Sequence, residues 1–407
     1  MEIIKDNYVE KEKEQKYLGK KGFLAFITLL SAFIPLSTDI YLPALPKMVE
    51  SLNTNTSIVN LTLILFFVFY ALGTILWGPL SDKYGRRTIL IIGLTIYTIA
   101  SISCVFSGNV YQLILFRILQ AIGCGAATAV STAIVKDSYS GRKLVTVLAL
   151  VQSTAMLSPI ISPVIGAMIL SVLSWRGVFE VLGALGMLTL AGSIAMEETI
   201  EKRYTGSIIS SISNIGVVSR NKGFMSLLIT FSIMSIPSMS FISASSYIFV
   251  DGFGLSPKVY SYYFAANAVF FLLGPLAYVK LSNHYNNIPY ITIAYIVMAI
   301  SGFSMFITGN LSPVIFMISL IPASFFGSLI RPQTTSIMLN QIPNETGAAS
   351  SLINCALTLF GCIGMIVISS SFLNRIIIMG LMYLITSVIS LILWHILSKN
   401  MRIILFK

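Results

Sequence analysis

Charged residues are scarce in this chain. They make up 10% of its 407 residues, whereas soluble domains carry roughly 25%. Apolar residues make up 56% and occur in runs of about twenty, each long enough to cross the ~30 Å hydrocarbon core of a bilayer as a helix. Because backbone groups in lipid must bond within their own segment, the composition predicts an all-helical, polytopic membrane protein.

Histidine and cysteine are also scarce, which bears on the enzyme and metal-site classes. The chain has two histidines, His284 in a predicted loop and His395 in the last apolar run, and it has no H-E-x-x-H pattern. Within the predicted membrane helices it also has no pair of acids at helical spacing that could act as acid and base. An integral-membrane enzyme is therefore the unfavoured class, and substrate turnover without transport would be needed to support it.

The four cysteines are predicted to be small packing residues within the membrane. All lie in apolar runs, where a disulfide framework or a metal site is not expected. They are Cys104, Cys124, Cys355 and Cys362. We therefore expect no metal and no cofactor.

The basic residues exceed the acidic ones and give a formal net charge of +11. They lie in short loops between apolar runs and form no continuous stripe, so no nucleic-acid partner is expected. Most of the 26 lysines and arginines fall on one side of the predicted helices. The positive-inside rule then places both termini in the cytoplasm.

The chain begins with a charged, polar segment at residues 1–21, which predicts a cytoplasmic tail. A cleaved signal peptide is the alternative reading of the apolar run that follows. That run is about twice as long as a usual signal-peptide core and has no clear small-residue cleavage site. It is therefore interpreted as the first membrane helix.

The apolar runs predict twelve membrane helices in two sets of six. Residues 22–196 form the first set, 223–397 the second, and 398–407 a cytoplasmic tail. Between the sets lies a polar linker, 197–222, in which residues 207–218 form either an amphipathic surface helix or an ordinary connection. The predicted helices are 22–45, 58–80, 88–107, 111–134, 143–172, 177–196, 223–250, 258–280, 288–308, 312–339, 346–370 and 376–397.

The two sets share a short internal repeat. Residues 66–80 align with residues 262–276, and both segments start with aromatic residues and end in Gly-Pro-Leu. Two repeated halves with a binding site between them are typical of transporters. A receptor or scaffold would have no evident use for such a repeat.

Asp39 is the only acidic residue of the first apolar run. An ionised carboxylate costs ~2.5 to 3.5 kcal/mol or more at the centre of a membrane helix, so such a residue is by default a functional-site candidate. The alternative is a carboxylate that pairs with a neighbouring helix to stabilise packing. If the functional interpretation holds, Asp39 carries the coupling proton.

The loop between the second and third helices, residues 78–87, has a specific spacing of glycine and charge. It resembles the signature G-x-L-a-D-r-x-G-r-k of the major facilitator superfamily, in which the loop forms charge contacts that hold the inner face closed in one state. The alternative is a set of exposed ion pairs worth about 0 to 1 kcal/mol each. The resemblance implies a gating role for Gly78, Asp82, Gly85, Arg86 and Arg87, with Asp137 on the fourth helix as the partner of Arg86. The equivalent loop of the second half lacks the Asp and the Arg pair.

The fourth helix carries Arg117 and Gln120, which resemble the R-x-x-Q-G signature of the same superfamily. Asp39 lies ~25 Å along its helix and Arg117 lies ~9 Å below the outer start of its own, at 1.5 Å per residue. Both therefore fall in the outer half of the bilayer, where they could meet or share one cavity. The alternative for Arg117 is snorkelling to the outer surface.

The fifth helix resembles the antiporter motif of the superfamily over residues 153–170. Ser162 and Ala167 replace two of the family's usual glycines, so close packing is retained while antiport, as opposed to uptake, is less firmly implied. The residues that carry this motif are Pro159, Pro163 and Gly166.

Within the superfamily, residues 37–46, 241–266 and 347–352 look most like the bicyclomycin-resistance (Bcr/CflA) drug exporters. The resemblance implies a monomeric exporter, driven by a proton gradient, of small lipophilic toxic compounds. It also implies a location in the lipid bilayer of the bacterial inner membrane. The alternative is an importer of a nutrient or an exporter of a metabolite with the same fold. Polar residues that are candidates for the substrate cavity, or for simple packing, are Tyr41, Tyr70, Gln120, Gln152, Tyr247, Asn267, Arg331 and Asn354.

Overall fold

The computed structural model describes residues 15–201, 203–204, 216–282, 287–342, 346–370 and 374–405. These ranges are helical and contain no β-strand, which confirms the predicted fold class. Within these ranges eleven helices are long and apolar enough to cross a membrane, and a bent pair of helices, taken as one span, makes a twelfth. In chain order the spans are α1 (Gly19–Ser31 and Phe33–Ser51), α2 (Thr56–Tyr84), α3 (Arg86–Val105), α4 (Val110–Ser138), α5 (Gly141–Val172), α6 (Trp175–Ala195), α7 (Lys222–Gly252), α8 (Pro257–Leu281), α9 (Asn287–Thr308), α10 (Pro313–Leu339), α11 (Thr346–Ser370) and α12 (Arg375–Leu405).

The first span is broken, whereas the sequence predicted one continuous helix over 22–45. Its two parts meet at 46°. Proline removes the hydrogen bond to the carbonyl four residues earlier and clashes with it. Pro35 therefore interrupts the helix at Ser31, and Pro43 ends the next helical piece, Phe33–Asp39. Asp39 thus lies at the end of a short helix between two proline-induced breaks.

Two spans of the second half are interrupted in the same way. In α7 the α-helix ends at Ser232 and restarts at Ser235, two residues before Pro237. In α10 it ends at Leu329 and restarts at Arg331, next to Pro332. Irregular backbone at membrane depth is tolerated where it is buried in protein or lines a cavity.

The two halves pack by the same scheme. In the first half α2 packs on α4, and α3 packs on α4 and α6; in the second half α8 packs on α10, and α9 packs on α10 and α12. The halves meet along α2 with α11 and along α5 with α8. Helices that differ by six in number therefore occupy equivalent positions in the two halves, which agrees with the repeat in the sequence. Residues 202 and 205–215 of the predicted linker lie outside the described residues, and they include most of the segment 207–218 for which an amphipathic helix was one alternative.

The bundle is closed at the face remote from the start of α1 and the end of α12. This closed face is called here the opposite face, and the face where α1 begins is called the terminal face. Ser57 donates to the Ser369 carbonyl at 2.5 Å, and Asn60 Nδ2 donates to the Ser369 hydroxyl at 2.7 Å. Arg375 donates to the Thr56 hydroxyl at 3.2 Å. These bonds join the starts of α2 and α12 and the end of α11, so the two halves are tied together at this face.

Asn60→Ala is expected to loosen this closure. The substitution removes one buried hydrogen bond, worth about 0.5–1.5 kcal/mol, so the ratio of open to closed opposite faces should rise several-fold. Cys362 is a native reporter, because it is 4% exposed and its Sγ lies 3.7 Å from the Ile64 carbonyl in the same interface. In a protein that retains only this cysteine, its labelling by a maleimide added at the opposite face should accelerate several-fold. An unchanged labelling rate would contradict the assignment of this interface as a gate.

Candidate functional site

A cavity of about 370 Å³ lies between the two halves. Its walls come from α1, α2 and α5 of the first half and from α7 to α12 of the second. Along α10 the lining runs from Ala323 to Met338, one residue before the helix ends at the terminal face. Because the opposite face is closed and the lining reaches the end of α10, the cavity extends toward the terminal face.

Asp39 lies in the wall of this cavity. It is 6% exposed, and the Thr38 hydroxyl donates to its Oδ1 at 2.9 Å. Within the described ranges no lysine or arginine forms an ion pair with it. The carboxyl group is thus held out of bulk water by the broken first span and has one neutral hydrogen-bond donor.

Arg117 does not pair with Asp39 and does not line the cavity. The guanidinium is 0% exposed and donates to Gln120 Oε1 at 2.5 Å and to the Ser37 carbonyl at 3.1 Å. The contact between Arg117 and Asp39 that their similar depth suggested is therefore indirect. Arg117 bonds to the backbone of Ser37, two residues before Asp39. Residues two apart on a helix point to different sides, so the Ser37 side chain faces the core of the first half while Asp39 faces the cavity.

Aromatic rings surround the rest of Arg117. Its Cζ lies 4.2 Å from the centroid of the Phe66 ring and 4.6 Å from that of Tyr41. A cation can be held against such ring faces when desolvated. Arg117 therefore stabilises the core directly behind the Asp39 segment, and snorkelling to the surface does not occur.

The fifth helix packs closely on the break that follows Asp39. A Cβ on Gly166 would overlap the carbonyl oxygen of Ile40. Ser162 is fully buried, and its hydroxyl donates to the Ser158 carbonyl within the same helix at 2.7 Å. Pro159 lines the cavity. The antiporter-like segment thus supports the backbone that positions Asp39.

The loop at residues 78–87 forms a charge network at the terminal face. Arg86 Nε donates to Asp137 Oδ2 at 2.9 Å, and Arg86 also pairs with Asp82. Its NH1 donates to the Ser81 hydroxyl at 2.7 Å. All these partners belong to the first half. In this conformation Arg86 therefore pairs with the predicted gating acids Asp82 and Asp137 of its own half.

Glu198 completes this network, and sequence reasoning missed it. Its carboxylate accepts from the backbone N–H of Arg86 at 3.0 Å and of Arg87 at 3.2 Å, the first residues of α3. A carboxylate at a helix N-terminus is favoured by the helix dipole and by the free N–H groups. Gly85 allows the approach, because its φ of +103° suits glycine and an added Cβ would meet the Glu198 side chain. The sequence feature that could have indicated this contact is the position of Glu198, an acidic residue three positions after the end of the sixth helix at Ala195.

Most of the predicted cavity residues lie elsewhere. Asn267 and Arg331 line the cavity, whereas the other candidates do not. Tyr41 and Gln120 are buried against Arg117, because the polar face of α4 turns into the first half. Tyr247 is buried beneath Arg375 at the opposite face. The remaining candidates are Tyr70, half-buried within the first half, and Gln152 and Asn354, both exposed on helix surfaces away from the lining.

Several lining residues had no sequence signal. The wall includes the aromatic residues Phe241, Phe264, Phe271 and Tyr295. In a chain rich in aromatic residues, position on a helix does not distinguish a lining ring from a lipid-facing one. Only the packing of the two halves selects them.

Residues 27–365 match the family described as Major Facilitator Superfamily. Among curated proteins, the chain is 27% identical over 350 residues to an uncharacterized MFS-type transporter, YdgK, of Bacillus subtilis, with 84% of this chain and 87% of that protein covered. It is 24% identical to the bicyclomycin resistance protein homolog of Haemophilus influenzae, covering 82% and 86%. It is 27% identical to the multidrug resistance protein MdtM of Escherichia coli, covering 77% and 78%.

Solved structures share the fold at low identity. A bacterial homologue of the human lysosomal transporter Spinster, in an inward-facing and occupied conformation, superposes with a TM-score of 0.75 at 14% identity, covering 95% of this chain and 98% of that one. A D-xylose-proton symporter superposes with a TM-score of 0.70 at 15% identity, covering 90% and 96%. At this identity the likeness concerns the fold alone.

Proposed function

Because the chain belongs to the major facilitator superfamily and is a multi-pass membrane transporter rather than an enzyme, we propose that it exports small drug-like compounds in exchange for protons. The observation that carries the proposal is a single carboxylate, Asp39, in the wall of an otherwise largely apolar cavity between two repeated halves. The named resistance proteins among its relatives support drug-like substrates.

The proposed orientation places the terminal face in the cytoplasm of a bacterial inner membrane. The distribution of lysine and arginine supports it. The conformation described above is then inward-facing, with its cavity extending toward the cytoplasm and its periplasmic face closed. Substrate would enter the cavity in this state.

Asp39 would couple proton and substrate movement through its charge. A carboxylate without a cationic partner is costly in an enclosed apolar cavity and far less costly where water reaches it. The protonated form therefore tolerates an occluded cavity, and the anion favours a hydrated one. Proton uptake from the periplasm and release into the cytoplasm would bias the exchange between the two faces.

The remaining elements would assist this cycle. Gly166 and its helix support the Asp39 segment, and Arg117 stabilises the adjoining core. The network of Asp82, Arg86 and Asp137 would exchange partners when the cytoplasmic face closes. No metal or cofactor takes part in this scheme, and the proton gradient supplies the free energy.

Expression of the full chain in a bacterium lacking its own efflux pumps tests the proposal. We expect reduced susceptibility to several structurally unrelated lipophilic drugs. Everted vesicles from these cells should accumulate such a compound when their lumen is acidified, and a protonophore should abolish this accumulation. Vesicles with empty vector provide the control. Uptake into intact cells, or accumulation that ignores the pH gradient, would refute proton-coupled export and favour a nutrient or metabolite carrier.

A further inference from the structure

Arg331 is a charged side chain on the wall of the cavity. It starts the last helical piece of α10, directly after the break at Ile330. The side chain is exposed and belongs to the cavity lining. Among the described lining residues, Asp39 is the acidic one and Arg331 the basic one. An arginine within a membrane segment is costly to place, and such residues mark paths for substrates or ions.

The guanidinium of Arg331 has a single aromatic contact. Its Cζ lies 5.5 Å from the centroid of the Phe271 ring, which also lines the cavity. Stacking occupies the flat face of a guanidinium, whereas its five N–H donors point outward in the plane. No acceptor in the described part of the chain bonds to these donors. Their edge is therefore available to a ligand.

Arg117 provides a contrast within the same protein. It is completely buried, is enclosed by rings, and donates to a side-chain amide and a backbone carbonyl. That arrangement explains Arg117 as a structural cation. Within the described residues Nε and Nη2 of Arg117 also lack a hydrogen-bond partner, so unpaired donors alone do not distinguish the two arginines. The difference is that Arg331 is exposed on the cavity wall, where a ligand can reach its donors, whereas Arg117 is enclosed.

Two further polar side chains, Tyr295 and Asn267, belong to the second-half wall that carries Arg331. Tyr295 is fully buried and belongs to the cavity lining, and in the described part of the chain its hydroxyl has no hydrogen-bond partner. Asn267 lines the same wall, and its Oδ1 is also unpaired. The rings of Phe241 and Phe264 stack at 5.6 Å and offer an apolar surface beside this patch. The wall thus combines an exposed cation with a flat apolar surface, and two unpartnered polar atoms lie buried directly behind it.

We propose that the cavity selects amphiphilic substrates that carry an acidic group, a carboxylate or a sulfonate, and that Arg331 binds this group. The planar guanidinium matches two oxygens of such a group in a bidentate pair. The apolar body would rest on the aromatic surface. A lipophilic cation without an acidic group would instead meet the uncompensated positive charge of Arg331 and bind less well.

This inference rests on the proposed transport function and adds the substrate class. Asp39 and Arg331 lie in walls from different halves, so a molecule that also carries a positive group would contact both where its charged groups span the distance between these walls. Its positive group would compete with the proton for Asp39, as exchange requires. Its acidic group would provide the selectivity.

Equilibrium binding to the purified full-length protein tests the proposal with a matched pair of dyes. Rhodamine 110 carries a free carboxylate, and rhodamine 123 is its methyl ester. Fluorescence anisotropy gives the ratio of their affinities. In Arg331→Gln we expect this acid-to-ester ratio to fall about tenfold or more, because a charge-assisted hydrogen-bonded pair is lost. Arg331→Lys should retain part of the preference.

Lys258→Gln is the matched control, because it removes an exposed positive charge outside the cavity lining. It should leave the ratio unchanged, and thermal melting verifies that each variant is folded. An equal loss of both dyes in folded Arg331→Gln, or an unchanged ratio, would overturn the proposal. Failure of folded wild-type protein to bind the acid would also overturn it. Binding in detergent needs no proton gradient, so these results are independent of the test of proton-driven export.

Discussion

Replacing Asp39 by Asn is expected to reduce proton-driven export to background while the protein remains folded. Asn has the size of the carboxyl group, and its side-chain oxygen can still accept from the Thr38 hydroxyl, which donates to Asp39 at 2.9 Å. It cannot take up or release a proton at physiological pH. The substitution therefore removes the proposed coupling chemistry with little change in packing.

The measurement compares two transport modes in everted vesicles. Accumulation driven by an acidic lumen should be lost in Asp39→Asn, whereas exchange of labelled for unlabelled substrate without a gradient should persist. Glu50→Gln is the matched control, since Glu50 is an exposed acid near the opposite end of the same span. It should transport normally. Undiminished gradient-driven export by Asp39→Asn would rule out Asp39 as the coupling residue.

Replacing Gly166 by Ala is expected to have the second-largest effect. One added methyl group would overlap the Ile40 carbonyl oxygen, a backbone atom that cannot rotate away. Overpacking of this kind costs about 1–3 kcal/mol. Because the shifted backbone adjoins Asp39, we expect a loss of transport beyond the loss of stability.

Thermal melting and vesicle transport test this prediction together. Gly22→Ala is the matched control, because a Cβ there meets only the Leu18 Cβ at 3.8 Å, an ordinary contact. Alanine is favoured over glycine within a helix by up to ~1 kcal/mol, so this control should be neutral or slightly stabilising. Wild-type melting and transport in Gly166→Ala would show that α5 and the Asp39 segment need not approach as closely as described.

Much of the fold followed from local sequence. Runs of apolar residues must become membrane helices, because lipid offers no hydrogen bonds to an open backbone. The helix breaks at Pro35 and Pro332 were not predicted, although the prolines are visible in the sequence. Proline is tolerated in membrane helices when neighbours satisfy the freed groups, so its effect depends on packing that the local sequence does not contain.

The candidate site was only partly predictable. Asp39 stands out because a carboxylate in an apolar run is rare and costly. Depth placed Arg117 at a similar level, but depth says nothing about which way a side chain points around its helix. That direction separates Arg117, enclosed within the first half, from Asp39 on the cavity wall. Glu198 was missed because its partner is the start of a helix that is distant in sequence.

The sequence by itself determined that this chain crosses the membrane repeatedly in helices and carries one acid deep within its first span, since both follow from the cost of polar groups in lipid. Only the tertiary structure decided which polar and aromatic side chains face the cavity. It places Arg331 on the cavity wall and Arg117 in the core of the first half. The physical reason is that helices in lipid are apolar on all sides. Their rotation is therefore selected by close packing between helices and not by a contrast between apolar and polar faces.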